Sequence, residues 1–256
     1  MLEFYAPNLK LSTPYSYFCK MNSKNIQFIL TDIEGTTTSV SFVYDILFPY
    51  FRNNISKLKD LQNNQDVHDA FEQVIELTKD LENLQLIDTK DIIGKLLQWS
   101  LEDKKITPLK TLQGILWQEG YKSKEIKGHV YPDVKSNLIE WKKRGINLGV
   151  FSSGSVTAQK LIFGYSEQGD LTPYFSYYFD TKTGGKREVE TYSKISEEIN
   201  ISPSSILFLS DIIEELEAAQ LAGYQTIQLV REGTINNWRD YVSDFDEVTE
   251  KLNILS

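Results

Sequence analysis

Hydrophobic and polar positions follow two different periods along this chain. Short apolar runs that stop at a turn signal predict buried strands, and apolar residues three or four positions apart predict helices. Strands are predicted at 28–31, 146–151, 177–180, 205–210 and 226–230, with helical spacing after each of the first four. Strands that alternate with helices pack as a parallel sheet covered on both faces. The predicted fold class is therefore α/β, with a doubly wound, mostly parallel Rossmann-like sheet.

The longest helical stretch lies between the first two predicted strands. Apolar and aromatic residues recur at helical spacing from Val40 to Ile55, and the pattern continues to about Lys127. We therefore predict an all-helical cap inserted at residues 48–126, called the helical insertion below. Residues 26–47 and 127–256 would form the core. Residues 1–25, of mixed polarity with two prolines, are predicted to be a loose N-terminal extension.

Composition narrows the classes of function. The chain has 256 residues and a net charge of −9, and such an acidic surface repels nucleic-acid phosphates. No apolar run reaches the roughly 18 residues of a spanning helix, so no membrane partner is expected. Cys19 is the only cysteine, which excludes an intrachain disulfide and favours a reducing compartment. We expect a cytoplasmic location, with the nucleus as an additional one, and a monomer, because no heptad or apolar surface stripe is evident.

Polar clusters follow the predicted strands and loops. They are Asp32 with Glu34, Ser152 with Ser153, Lys186, and Asp211 with Glu214 and Glu215. The carboxyl ends of parallel strands share one edge, where open α/β sheets bind ligands, so these clusters are expected to converge there. Each alone has a simpler interpretation: a helix cap for the serines, a solvated loop lysine, and a charged first helical turn for the glutamates. Their order, each at a strand–helix junction, favours a shared site.

The chemistry of these side chains is mutually consistent. Asp32 can act as a covalent nucleophile, as in enzymes that form an aspartyl-phosphate. Asp32 and Asp211 are suitable ligands for Mg²⁺. Ser152 offers a hydroxyl, and the amides of Ser153 and Gly154 are expected at a helix N-terminus, which favours anions. Lys186 supplies a compact positive charge against phosphate.

These stretches resemble the four motifs of haloacid dehalogenase-type phosphatases. More narrowly, Asp32-Ile-Glu-Gly-Thr-Thr, Phe151-Ser-Ser-Gly-Ser-Val-x-Ala-Gln-Lys-Leu and Phe179-Asp-Thr-Lys resemble the enolase-phosphatase E1 family of methionine salvage. The resemblance runs from about Gln27 to Val230, and the segments on either side add little. It implies a bifunctional enzyme that enolises 2,3-diketo-5-methylthiopentyl-1-phosphate and then removes its phosphate to give the acireductone, with one Mg²⁺ per subunit.

The resemblance also implies roles for individual residues. Asp32, Glu34 and Lys186 would be catalytic, Ser152, Ser153 and Lys186 would bind the substrate, and Asp32, Asp211 and the Glu34 carbonyl would hold the metal. Phosphatases of the wider superfamily have aspartate where this chain has Glu34, which leaves the proton-transfer role of that residue open. The base for enolisation is Glu34 or Lys186. His68 and His129 are not expected to be catalytic.

Three alternatives stay open at this point. The chain could be a related phosphatase for another small phosphate ester, or a dehalogenase, which needs no metal. It could also be a binding protein without catalytic activity, although Asp32, Lys186 and Asp211 together argue against that.

Overall fold

The computed structural model describes residues 26–82, 85 and 88–254. The extension predicted at residues 1–25 lies outside the described residues. The strands are β1 (Phe28–Thr31), β2 (Asn147–Phe151), β3 (Tyr177–Phe179), β4 (Ile206–Ser210), β5 (Gln225–Leu229) and β6 (Tyr241–Val242). They form one sheet in the order β3-β2-β1-β4-β5-β6, and every neighbouring pair is parallel.

Helices connect the strands. They are α1 (Phe48–Asn54), α2 (Gln65–Glu82), α3 (Thr89–Leu101), α4 (Thr107–Lys122), α5 (Val134–Lys143), α6 (Val156–Gly164), α7 (Val189–Ile199), α8 (Ile213–Leu221) and α9 (Phe245–Ile254). A π-helical segment, Phe42–Leu47, precedes α1, and a 3₁₀ segment, Ile55–Lys59, follows it. Within the described residues, no helix combines the length and apolar character that crossing a membrane requires.

The central strands are buried on both faces. Ile29 and Leu207 belong to one hydrophobic cluster, whereas their neighbours Leu30 and Phe208 belong to a second. Successive side chains of a strand point to opposite faces, so the two clusters are the two sides of the sheet. This arrangement explains why the strands appear as continuous apolar runs, and it confirms the predicted doubly wound α/β class.

The inserted helices share the hydrophobic cluster on one side of the sheet, and α4 reaches the core by packing against α6. Phe51, Trp99 and Leu112 are fully buried and join the cluster that contains Ile29. The Nε1 of Trp117 donates a hydrogen bond of 2.8 Å to the carbonyl of Leu47, which fixes α4 against the π-helical segment. The division of the chain at residues 48 and 126 stays a prediction.

A buried ion pair joins Asp133 to the carboxyl-terminal part of the chain. Asp133 precedes α5, but its side chain does not cap that helix. It accepts hydrogen bonds from both terminal nitrogens of Arg231, at 3.0 and 2.7 Å, and from the amide of Phe245. The β6 strand and α9 extend the fold beyond the last predicted strand. The buried ion pair attaches them to the start of α5, a tertiary contact without a local sequence pattern.

Candidate active site

The candidate site lies where the strand order reverses. β1 and β4 are neighbours, Thr31 pairs with Leu209, and the amide of Asp32 donates to the Leu209 carbonyl at 2.9 Å. Asp32 and Asp211 therefore follow adjacent parallel strands at one edge of the sheet. Ligands of open α/β sheets bind at such a reversal point, outside the carboxyl ends of the strands.

Lys186 is held between two buried carboxylates. Its Nζ lies 2.7 Å from Asp32 Oδ1 and 2.7 Å from Glu215 Oε2. The hydroxyl of Tyr192 donates to the Lys186 carbonyl at 2.7 Å and secures the loop that carries the lysine. Burial alone would lower the pKa of Lys186, but Asp32 and then Glu215 raise it above its ordinary value. Lys186 is therefore a fixed cation and not the solvated loop lysine of the simpler interpretation.

Glu215 belongs to the polar cluster at Asp211, but the sequence alone implied no role for it in the site. The interpretation of Glu214 and Glu215 as a charged first helical turn is wrong for Glu215, which is buried and accepts a 2.9 Å bond from Ser210 Oγ. Burial, and after it the charge of Asp32, raise the pKa of Glu215, although Lys186 opposes the shift. The available signal was its position four residues after Asp211, which turns it back toward the strand end.

Asp211 lies against the turn that follows β1. Gly35 adopts a φ of +73°, and a Cβ built there would lie 2.3 Å from Asp211 Oδ2. A side chain at position 35 would therefore displace this carboxylate. Asp211 Oδ1 is buried without a hydrogen-bond partner in the described structure. Burial and then the charge of Asp32 raise the pKa of Asp211 to about 7.

The carboxylates of Asp32 and Asp211 fit a divalent cation. A buried oxygen without a partner carries a free-energy penalty, which a bound cation would remove. Within the described residues, no three His, Cys, Asp or Glu side chains form a metal-binding group. Asp32 and Asp211 would therefore need main-chain or water oxygens to complete the coordination, as Mg²⁺ commonly does.

Glu34 and Ser152 form a second pair of polar side chains, in addition to Asp32 and Asp211. Ser152 Oγ donates to Glu34 Oε2 at 3.3 Å and accepts from the amide of Gly154 at 3.0 Å. Burial, and after it the charge of Asp32, raise the pKa of Glu34. The amides of Ser153 and Gly154 lie ahead of α6 and not within it, because Ser155 is the capping residue, with its Oγ accepting from Ala158. The prediction of a helix-end anion site is wrong in that detail.

Glu34 and Ser152 border a cavity between the core and the helical insertion. Its apolar wall includes Val43, Leu47, Phe48, Leu109, Trp117 and Ile162. Three lysines from the insertion, Lys104, Lys105 and Lys110, also border it. The cavity could therefore hold an apolar group whose polar end reaches Glu34 and Ser152.

The structure places other candidates in supporting positions. Asp180 accepts bonds from the amides of Val156 and Lys182, at 3.2 and 2.8 Å, which ties the start of α6 to the loop before Lys186. The Nδ1 of His129 accepts from the amide of Ser39 at 3.0 Å and so supports the turn after Gly35. Asp180 belongs to the Phe179-Asp-Thr-Lys motif, which by itself implies no role for it in the site. The expectation that His129 is not catalytic stays a prediction.

Comparisons with known proteins agree with this geometry. Residues 26–223 match the haloacid dehalogenase-like hydrolase family. The chain is 52% identical over 225 residues to the enolase-phosphatase E1 of Picosynechococcus sp., covering 88% of this chain and 98% of that protein. It is 51% identical over 209 residues to the Pseudomonas fluorescens protein of the same name, covering 82% and 91%. The crystal structure of the Unknown transcript 4 protein of Saccharomyces cerevisiae superposes with a TM-score of 0.72, at 32% identity, over 87% of this chain and 99% of that chain. The chain therefore belongs to the enolase-phosphatase E1 family of the haloacid dehalogenase-like hydrolases.

Proposed function

We propose that this enzyme converts 2,3-diketo-5-methylthiopentyl-1-phosphate, through its enol, into the acireductone 1,2-dihydroxy-3-keto-5-methylthiopentene and phosphate, a step of methionine salvage. The relatives named enolase-phosphatase E1 carry the same two activities in their name. The observation that supports the proposal best is the position of Glu34. It lies two residues from Asp32, accepts from Ser152, and borders the apolar cavity. One site thus combines a nucleophile, a base and space for the methylthio end of the substrate.

Glu34 is the base for enolisation in this proposal. The proton to be removed is on C1, the carbon that carries the phosphate ester oxygen, so the base must lie beside the phosphate-binding groups. Lys186 is unsuitable, because its ammonium group binds both Asp32 and Glu215 and its raised pKa keeps it protonated. Glu34 takes the C1 proton, a C1–C2 double bond forms, and the electron pair of the C2 carbonyl moves to its oxygen as an enolate, which a proton from water converts to the enol.

Asp32 is the nucleophile for phosphate removal. Its carboxylate attacks phosphorus and the bond to the ester oxygen breaks, which leaves an aspartyl-phosphate that water then hydrolyses. Glu34, protonated in the first step, can return its proton to the departing oxygen. Lys186 and the amide of Ser153 would stabilise the oxygens of the transferring phosphoryl group, and Ser152 would donate its hydroxyl proton to them once Glu34 is protonated. Charge stabilisation and positioning supply most of the rate enhancement in phosphoryl transfer.

Mg²⁺ is the proposed cofactor, one per subunit. Asp32, Asp211 and the backbone carbonyl of Glu34 would hold it, and the partnerless Oδ1 of Asp211 supports this assignment. When bound, Mg²⁺ neutralises phosphate charge and polarises a carbonyl oxygen. A monomer acting on this small phosphorylated substrate in the cytoplasm completes the proposal.

The decisive experiment separates the two steps. With the diketone phosphate and Mg²⁺, Asp32→Asn should abolish phosphate release, whereas Glu34→Gln should abolish formation of the enol. Enol formation is measured by ultraviolet absorbance and phosphate release by a colorimetric assay, after circular dichroism has verified folding. Near-normal phosphate release by folded Asp32→Asn would refute the covalent route.

The same assay tests the alternative functions. A phosphatase for a different ester would release phosphate from that ester without producing an enol from the diketone. A dehalogenase would keep its activity after complete chelation of divalent ions. A binding protein would show no turnover of any of these substrates.

A further inference from the structure

Lys110 connects the helical insertion to the turn formed by Ser152, Ser153 and Gly154 in the core, called the serine turn below. It lies on α4, which packs against α6. Its Nζ donates to the carbonyl of Ser153 at 3.1 Å and lies 3.4 Å from Thr181 Oγ1. The lysine therefore bonds to the two loops that carry the proposed phosphate-binding groups, although it contacts neither Asp32 nor Lys186.

A continuous series of hydrogen bonds leads from Lys110 to the proposed base. The carbonyl of Ser153 and the amide of Gly154 are the two ends of one rigid peptide plane. That amide donates to Ser152 Oγ at 3.0 Å, and Ser152 Oγ donates to Glu34 Oε2 at 3.3 Å. A donor that fixes the Ser153 carbonyl also fixes the direction of the Gly154 N–H. Because that N–H occupies a lone pair of the Ser152 hydroxyl, the hydroxyl proton is left for Glu34.

We propose that Lys110 is a positioning residue. It orients the Ser153–Gly154 peptide so that Ser152 holds the Glu34 carboxylate toward C1 of the substrate. This inference rests on the proposed function. A charged donor suits this role, because hydrogen bonds from ammonium groups are about twice as strong as neutral ones. Bonds arranged in series also polarise one another. Catalysis in the core would then depend on the contact between α4 of the insertion and the serine turn.

The test compares three substitutions at this position. Lys110→Met removes both bonds, Lys110→Gln keeps a neutral donor, and Lys110→Arg keeps the charge. Lys122→Met, at an exposed lysine of the same helix, is the matched control. A phosphonate analogue of the diketone cannot lose phosphate, so enolisation alone is followed as exchange of its C1 protons in D₂O by NMR. Phosphate release from p-nitrophenyl phosphate, which needs no enolisation, is measured in parallel.

We expect Lys110→Met to slow C1 exchange about tenfold or more, the scale of a lost charge-assisted hydrogen bond. Lys110→Arg should restore most of the rate, Lys110→Gln should fall between, and Lys122→Met should match the wild type. Release from p-nitrophenyl phosphate should fall less than exchange does. Wild-type exchange rates in folded Lys110→Met would overturn the inference, as would equal losses in both assays. Absence of exchange in the wild-type enzyme would instead contradict the proposed function.

Discussion

Replacement of Gly35 by alanine tests whether Asp211 is a metal ligand. Gly35 has a φ of +73°, and an alanine Cβ there would lie 2.3 Å from Asp211 Oδ2 and 2.5 Å from its Cγ. The left-handed backbone alone costs an L-residue roughly 1–2 kcal/mol. In a domain of this size each kcal/mol lowers Tm by about 2–4 °C. The collision adds a second effect, because the carboxylate of Asp211 must rotate away from the turn.

Gly145→Ala is a matched control for the backbone effect. Gly145 has a φ of +79°, but an added Cβ would meet nothing within 4 Å. Both variants should therefore lose stability in calorimetric unfolding, Gly35→Ala by at least as much as Gly145→Ala because of the collision, and only Gly35→Ala should bind Mg²⁺ more weakly. A decrease of about 10- to 100-fold is expected, the range seen when groups that orient metal ligands are removed. Isothermal titration with Mg²⁺ measures it. Equal Mg²⁺ affinity in the two variants would refute the assignment of Asp211.

Two further predictions concern the surroundings of the site. Burial lowers the pKa of His129 from 6.5, so the unfolded chain binds more protons as the pH falls, and the unfolding free energy should decrease below about pH 6.5. His129→Asn, which keeps an acceptor for Ser39, should reduce this dependence in denaturant titrations at pH 5.5 and 7.5. Identical pH profiles of the variant and the wild type would contradict the prediction. Trp117→Phe removes the bond to the Leu47 carbonyl and should lower stability by about 1 kcal/mol. It should also raise KM for the diketone phosphate severalfold without affecting a short ester that lacks the methylthio tail, and equal changes for both substrates would exclude Trp117 as part of the tail site.

Local patterns in the sequence determined the architecture and most of the candidate residues. Buried parallel strands require continuous apolar runs, and each run ends at a turn where a polar residue can reach the sheet edge. Asp32, Lys186 and Asp211 could therefore be selected before their distances were known. The helices between the first two strands were predictable in the same way, because their apolar residues repeat at helical spacing.

Only the tertiary structure decided how these side chains divide the chemistry. Whether Glu34 or Lys186 could be a base depends on what surrounds each, and Lys186 proved to lie between Asp32 and Glu215. Glu215 appeared to be surface charge, since its burial depends on contact with Lys186, which a separate loop brings to it. The bond from Lys110 to Ser153 joins residues 43 positions apart. The spacing of apolar residues predicts which face of a helix or strand is buried. Side-chain contacts between distant elements depend on how the whole chain packs, which no local pattern predicts.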